Sequence, residues 1–142
     1  MSEAHLERVL PTTPDALDLA HEQLEELWAA DPGVSPTDRM RFELAVIEIL
    51  GNIVEHAWRA DEGHPSARRL SLELILTRDR LEAVLGDNGI PASIDLSAAT
   101  MPDEDAESGR GLALTLAAVD ALDYARDGGR NVWRIRCDRS TG

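Results

Sequence analysis

Three short constellations in this chain combine residue types and spacings that can do chemistry. Glu48 and Asn52 stand four residues apart in a stretch of helical periodicity. That spacing puts both side chains on one helix face, about 6 Å apart along the axis. A glutamate can take a proton from a nucleophile, and an asparagine offers a neutral carbonyl oxygen to a hard cation such as Mg²⁺. A solvent-facing stripe is the alternative, because Arg41, Glu55 and Arg59 fall near the same face; His56, on the same side, reads as structural. Gly51 beside them costs about 1 kcal/mol against Ala in mid-helix, which points to the close approach of another group. The second constellation is Asp87-Asn88-Gly89 at the end of a strand. It is either a plain turn or an aspartate held ready to accept from an exocyclic amine such as that of adenine. The third is Ser108-Gly109-Arg110-Gly111-Leu112, at the opening of a helix. Its glycines allow close backbone approach, free first-turn amides bind anions, and Arg110 adds charge. The alternative is a helix cap with Ser108 capping. Position 114 is leucine and no Gly-x-x-x-x-Gly-Lys occurs, so neither the dinucleotide fingerprint nor the P-loop fits.

These residues need elements to hold them. His5 to Leu10 alternates and predicts a short edge strand that Pro11 stops. Thr13-Pro14 predicts a helix start, with Thr13 as the cap, and the helix runs to about Ala30. Ser35-Pro36 starts a second helix by the same logic, running to about Arg59 and carrying Glu48 and Asn52. Its apolar residues cover nearly every side, which predicts a helix buried all round. Leu70 to Leu76 and Leu81 to Leu85 alternate as two strands of a hairpin around Thr77 to Arg80. Asn88 to Ser108 is a long connection with two prolines and an acidic cluster, which predicts a functional lid. Gly111 to about Ala121 predicts a third helix. Leu122 to Arg126 and Asn131 to Asp138 predict a last hairpin around Asp127-Gly128-Gly129. The order β-α-α-β-β-α-β-β implies one mixed sheet with helices on one face.

Composition narrows the function. The chain has 142 residues, enough for a single domain, 1–142, with a real core. Its net charge is −13 and all 14 basic residues are arginine. That charge argues against direct nucleic-acid binding and against an anionic membrane surface. The single cysteine, Cys137, cannot form an internal disulfide and suits a reducing compartment. No apolar run approaches the ~20 residues of a membrane span. The acidic start without an apolar stretch is not expected to be a signal peptide, so a cytoplasmic protein is expected.

Taken in order, Glu48-x-x-x-Asn52, Asp87-x-Gly89 and Gly109-x-Gly111 resemble the N, G1 and G2 boxes of the GHKL ATPase superfamily. The run from Glu43 to Trp58, Ser108 to Leu114 and the ending Asp123 to Ile135 are similar to the anti-sigma-factor serine kinases of the RsbW type. The resemblance covers nearly the whole chain. It implies an α+β two-layer α/β sandwich, the Bergerat fold, with a mixed, mostly antiparallel sheet. It implies an ATP and Mg²⁺ site in which Glu48 is the base, Asn52 holds the metal and Asp87 meets adenine. Gly89, Ser108, Gly109, Arg110, Gly111 and Leu112 would surround the phosphates. It also implies transfer of phosphate to a serine of a STAS-type anti-sigma-factor antagonist, sequestration of a sigma factor, and a homodimer. A nucleotide-binding partner-switching module without kinase activity is the alternative. Three departures from the family pattern stand out: Pro91 replaces the second G1 glycine, no lysine is present, and Asn131 stands where a threonine supports adenine binding.

Overall fold

The computed structural model describes residues 3–60, 69–88 and 107–140. The elements run β1 (Ala4–Leu10), α1 (Asp15–Ala30), α2 (Pro36–Ala60), β2 (Leu70–Leu76), β3 (Arg80–Asp87), α3 (Glu107–Ala118), β4 (Ala121–Asp127) and β5 (Arg130–Asp138). This is the order that periodicity predicts. The five strands form one sheet in the order β1-β2-β3-β5-β4, and every pairing is antiparallel. The mixed, mostly antiparallel sheet expected from sequence is thus antiparallel throughout the described residues.

Alternation along the strands places the core. In β2, Leu70, Leu72, Leu74 and Leu76 are buried while Ser71, Glu73 and Ile75 are half-exposed. Leu81, Ala83 and Leu85 of β3 and Trp133, Ile135 and Cys137 of β5 extend the same apolar face. Helices α1 and α2 pack on it, giving two layers. Gln23 fastens α1 to the sheet, its buried amide donating to the Leu6 carbonyl at 3.2 Å and the Leu72 carbonyl at 3.0 Å. Cys137 is fully buried in β5, and burial pushes its thiol pKa up to about 11.

Local signals hold in part. Ser35 caps α2, its hydroxyl accepting from the Asp38 amide at 3.1 Å. Thr13 does not cap α1: the flanking position is Pro14 with helical dihedrals, and the buried Thr13 hydroxyl has no partner among the described residues. The first turn instead closes tightly, with the Ala16 amide on the Thr13 carbonyl at 2.9 Å. Helix α2 is buried on one side only. Phe42, Val46, Ile49, Leu50 and Ile53 face the core, whereas Leu44 is 47% exposed. Helix α3 begins at Glu107 rather than Gly111, so Ser108 is its second residue and not its cap. The expected lid falls almost entirely outside the described residues.

The chain end is tied back by a buried carboxylate. Asp38, 2% exposed, accepts from the amide and the hydroxyl of Ser140, each at 2.8 Å, and pairs with Arg41 at 3.3 Å. Arg41 in turn reaches Asp120 at 3.0 Å and the Ala118 carbonyl at 2.7 Å. Burial acts to raise the Asp38 pKa, but the Ser140 donors, Ser35 and Arg41 outweigh it and hold it below the ordinary carboxylate range. Asp120 is also lowered, by the Asp138 amide first and with help from Arg41, against a cost of burial. Asp38→Ala is expected to lower unfolding free energy at pH 7 by about 2–3 kcal/mol, the cost of stranding buried partners. A lowered carboxylate stabilises the fold above its unfolded pKa, near 3.9, and that contribution fades as pH falls through the folded value. Denaturant melts of wild type and variant should therefore converge below about pH 4. A gap that persists undiminished at low pH would exclude the charge-based account.

Candidate functional site

The last hairpin sets the geometry. Gly128 and Gly129 have φ of 55° and 82°, the left-handed pair that a two-residue type I′ turn requires. The turn fixes the register, so Arg126 faces Asn131 and Tyr124 faces Trp133. On its other side β5 pairs with β3, placing Asn131 directly opposite Asp87. Both residues lie on the helix-covered side at one end of the sheet, 3% and 8% exposed. The Asn131 amide nitrogen donates to an Asp87 carboxylate oxygen at 3.0 Å. Two groups converge on the Asn131 side-chain oxygen: the Tyr124 hydroxyl, in a short hydrogen bond, and the Arg126 guanidinium at 3.1 Å. Tyr124 leans on Trp133 with ring centroids 4.7 Å apart.

Helix α2 packs against β3 and β5 and carries the first constellation. Glu48 and Asn52 lie one turn apart and both are half-buried. Among the described residues neither side chain has a hydrogen-bond partner. Burial first, and then the charge of Glu55, push the Glu48 pKa above the ordinary glutamate range. A base raised toward neutrality takes up a proton more readily. The expectation that something approaches Gly51 closely is not met among the described residues, of which none would lie within 4 Å of a Cβ there. The chemistry of Asn52 suits Mg²⁺: its neutral carbonyl is a hard oxygen ligand, half-buried and without a hydrogen-bond partner among the described residues.

The third constellation is placed only by its backbone. Ser108, Gly109, Arg110, Gly111 and Leu112 all lie in the opening turns of α3, which packs against α2. Gly89 lies outside the described residues. The structure thus joins Asp87 to Asn131 directly, puts the first constellation on α2, which packs against their strands, and puts the third on α3, which packs against α2. Tyr124 and Arg126 escaped the sequence reading. Counting outward from the Gly128-Gly129 turn could have found them, because that count puts Arg126 opposite Asn131 and Tyr124 diagonal to it. On the opposite face, which no described helix covers, a cavity of about 190 Å³ lies among Glu73, Val84, Asp123 and Arg134, and none of the residues singled out by chemistry lines it.

Comparison with known proteins follows the same outline. The family described as the histidine kinase-like ATPase domain matches residues 10–137. A search of curated proteins finds no match. Among solved structures, the RsbU and RsbW domains of Rv1364c from Mycobacterium tuberculosis align with a TM-score of 0.68 at 21% identity. That alignment covers 98% of this chain and 33% of the other, so this chain spans about a third of that protein's length. The SiaB-SiaC complex from Pseudomonas aeruginosa aligns with a TM-score of 0.60 at 16% identity, covering 94% of this chain and 89% of the other. At these identities the likeness shows a shared fold.

Proposed function

The chain belongs to the histidine kinase-like ATPase domain family, and from that premise we propose that it acts as one domain, binding ATP with Mg²⁺ and phosphorylating a serine of a partner protein. The observation that carries this reading is the half-buried Glu48, raised in pKa, one turn before Asn52 on the helix that packs against the Asp87 and Asn131 strands. Asp87 accepts from the exocyclic amine of adenine, with Asn131 holding it from behind. Asn52 provides the metal with its carbonyl oxygen, and the bound Mg²⁺ neutralises phosphate charge. Glu48 takes the proton of the incoming serine hydroxyl. The serine oxygen then bonds to the γ-phosphorus as the bond to the β,γ-bridging oxygen breaks, and ADP leaves. In this proposal the free first-turn amides of α3, at Ser108 and Gly109, bind phosphate, and Gly89, Arg110, Gly111 and Leu112 are assigned to the same phosphate side.

The partner in this proposal is a STAS-type anti-sigma-factor antagonist, with a sigma factor as the protein held in its absence and a homodimer as the working form. A solved neighbour that is itself a two-protein complex supports a partner-binding role for the fold. Among the described residues no helix is long and apolar enough to cross a membrane, which is compatible with the proposed cytoplasmic setting. The rival is a partner-switching module that binds nucleotide and transfers nothing; the missing second G1 glycine, Pro91 here, favours it. Incubating the protein with γ-labelled Mg-ATP and a candidate antagonist separates the two. Mg²⁺-dependent label on a serine of the antagonist is expected. Nucleotide binding without transfer would favour the module, and no nucleotide binding at millimolar ATP would refute both.

A further inference from the structure

Tyr124 and Arg126 belong to none of the three constellations, yet both end on the side-chain oxygen of Asn131. An asparagine amide can turn over, exchanging a donor for an acceptor at the same place. Here the two faces of the amide are bound to different partners. Its nitrogen donates to Asp87 at 3.0 Å, and its oxygen accepts from the Tyr124 hydroxyl and from Arg126. A hydroxyl can accept as well as donate, so Tyr124 alone would tolerate either orientation. A carboxylate only accepts and a guanidinium only donates, so Asp87 and Arg126 set the same polarity from the two ends of the amide, and Tyr124 completes it. Turned over, the amide would aim its NH₂ at a guanidinium and its carbonyl at a carboxylate, and both contacts repel. Little solvent reaches Asn131 to soften either mismatch, since it is only 3% exposed.

We infer that Tyr124 and Arg126 are positioning residues: they fix Asn131 as a donor to Asp87 and thereby make the site select adenine over 6-oxopurines. The inference rests on the reading of this site as an ATP site. Adenine presents an amine at position 6, which a carboxylate accepts; guanine and hypoxanthine present a carbonyl there, which a carboxylate opposes. A carboxylate held from behind by a fixed donor keeps its place as an acceptor. Without Tyr124 and Arg126 the amide loses the two donors that anchor its oxygen end, so the donor behind Asp87 is less firmly placed and the carboxylate is held less strictly in the position from which it discriminates.

The test uses Tyr124→Phe, Arg126→Gln and the double variant. Phenylalanine keeps the ring packed on Trp133. Calorimetry would give the affinities of Mg-ATP and Mg-ITP, which differ at position 6, for each protein. Wild type is expected to prefer ATP by at least about tenfold, and the double variant to lose at least about fivefold of that preference. Loss of packing alone would weaken both nucleotides together and leave the ratio intact. Without nucleotide, the Asn131 side-chain NH₂ signals in a ¹⁵N-correlated spectrum report the lock itself. They should be well dispersed in wild type and move in the double variant. Unmoved signals, or a ratio kept within about twofold by a folded double variant, overturn the inference. Wild type binding neither nucleotide would refute the ATP-site reading and the selectivity with it, while the amide signals still say separately whether the lock exists.

Discussion

Replacing Glu48 by glutamine is expected to leave Mg-ATP affinity within about threefold of wild type and to cut phosphate transfer by about a hundredfold or more. Glutamine keeps the length and hydrogen-bonding reach of glutamate but cannot take a proton at neutral pH. The same exchange has a stability signature of opposite sign to its effect on activity. Burial, and then Glu55, raise the Glu48 pKa in the fold, so ionising this residue disfavours the folded state. That penalty is absent below the unfolded pKa, near 4.3, grows as pH rises toward the folded value, and stays thereafter. Glu48→Gln should therefore melt at or above the wild-type temperature at pH 7 and match it near pH 4. A variant that transfers phosphate at the wild-type rate removes Glu48 from the base role. A variant that melts lower at pH 7 would assign Glu48 to holding the fold together.

Asn52→Ala should weaken Mg-ATP by about thirtyfold or more, roughly 2 kcal/mol, with the fold intact. Among the described residues Asn52 makes no hydrogen bond, so no protein partner is stranded by its removal. Alanine is also the better helix former, which protects α2 from the change. The loss should depend on the metal. Titrating nucleotide in the presence of a chelator should shrink the gap between variant and wild type, because the carbonyl oxygen is argued to act through Mg²⁺. Calorimetry that finds Mg-ATP binding within about threefold of wild type would make the metal role wrong.

Much of this arrangement was legible before any coordinates. Apolar alternation along the strands, the turn residues between them and the proline-marked starts of α1 and α2 put all eight elements in order. The misses are cases where tertiary context outweighs a local signal. Thr13 has the right chemistry for a cap, but Pro14 already adopts helical dihedrals, which shifts the start and leaves the hydroxyl buried. Leu44 fits an all-round apolar helix, yet α2 lies on a sheet and its outer side meets no third layer among the described residues. Ser108 reads as a cap because glycines follow it, but α3 extends back over them to Glu107. At the site, Asp87 and Glu48 announce themselves by type, whereas Tyr124 and Arg126 acquire their role only from strand register. Asn131 lies between these cases. Sequence marks it as a departure from a threonine, and only the pairing of β3 with β5 reveals that it gives Asp87 a hydrogen-bond donor.

The sealed thiol of Cys137 makes this protein its own clock. A cysteine reacts as thiolate, and one whose pKa sits near 11 is almost wholly protonated at neutral pH. Cys137 also faces Leu81 across the β3–β5 pairing, near one end of both strands on the helix-covered side, where it is fully buried. An alkylating probe can therefore mark the chain only after the core around Cys137 opens. Because the chain contains no second cysteine, each mark counts one opening. The pace of labelling measures how often that end of the core opens, and a ligand or partner that binds only the closed form must slow it.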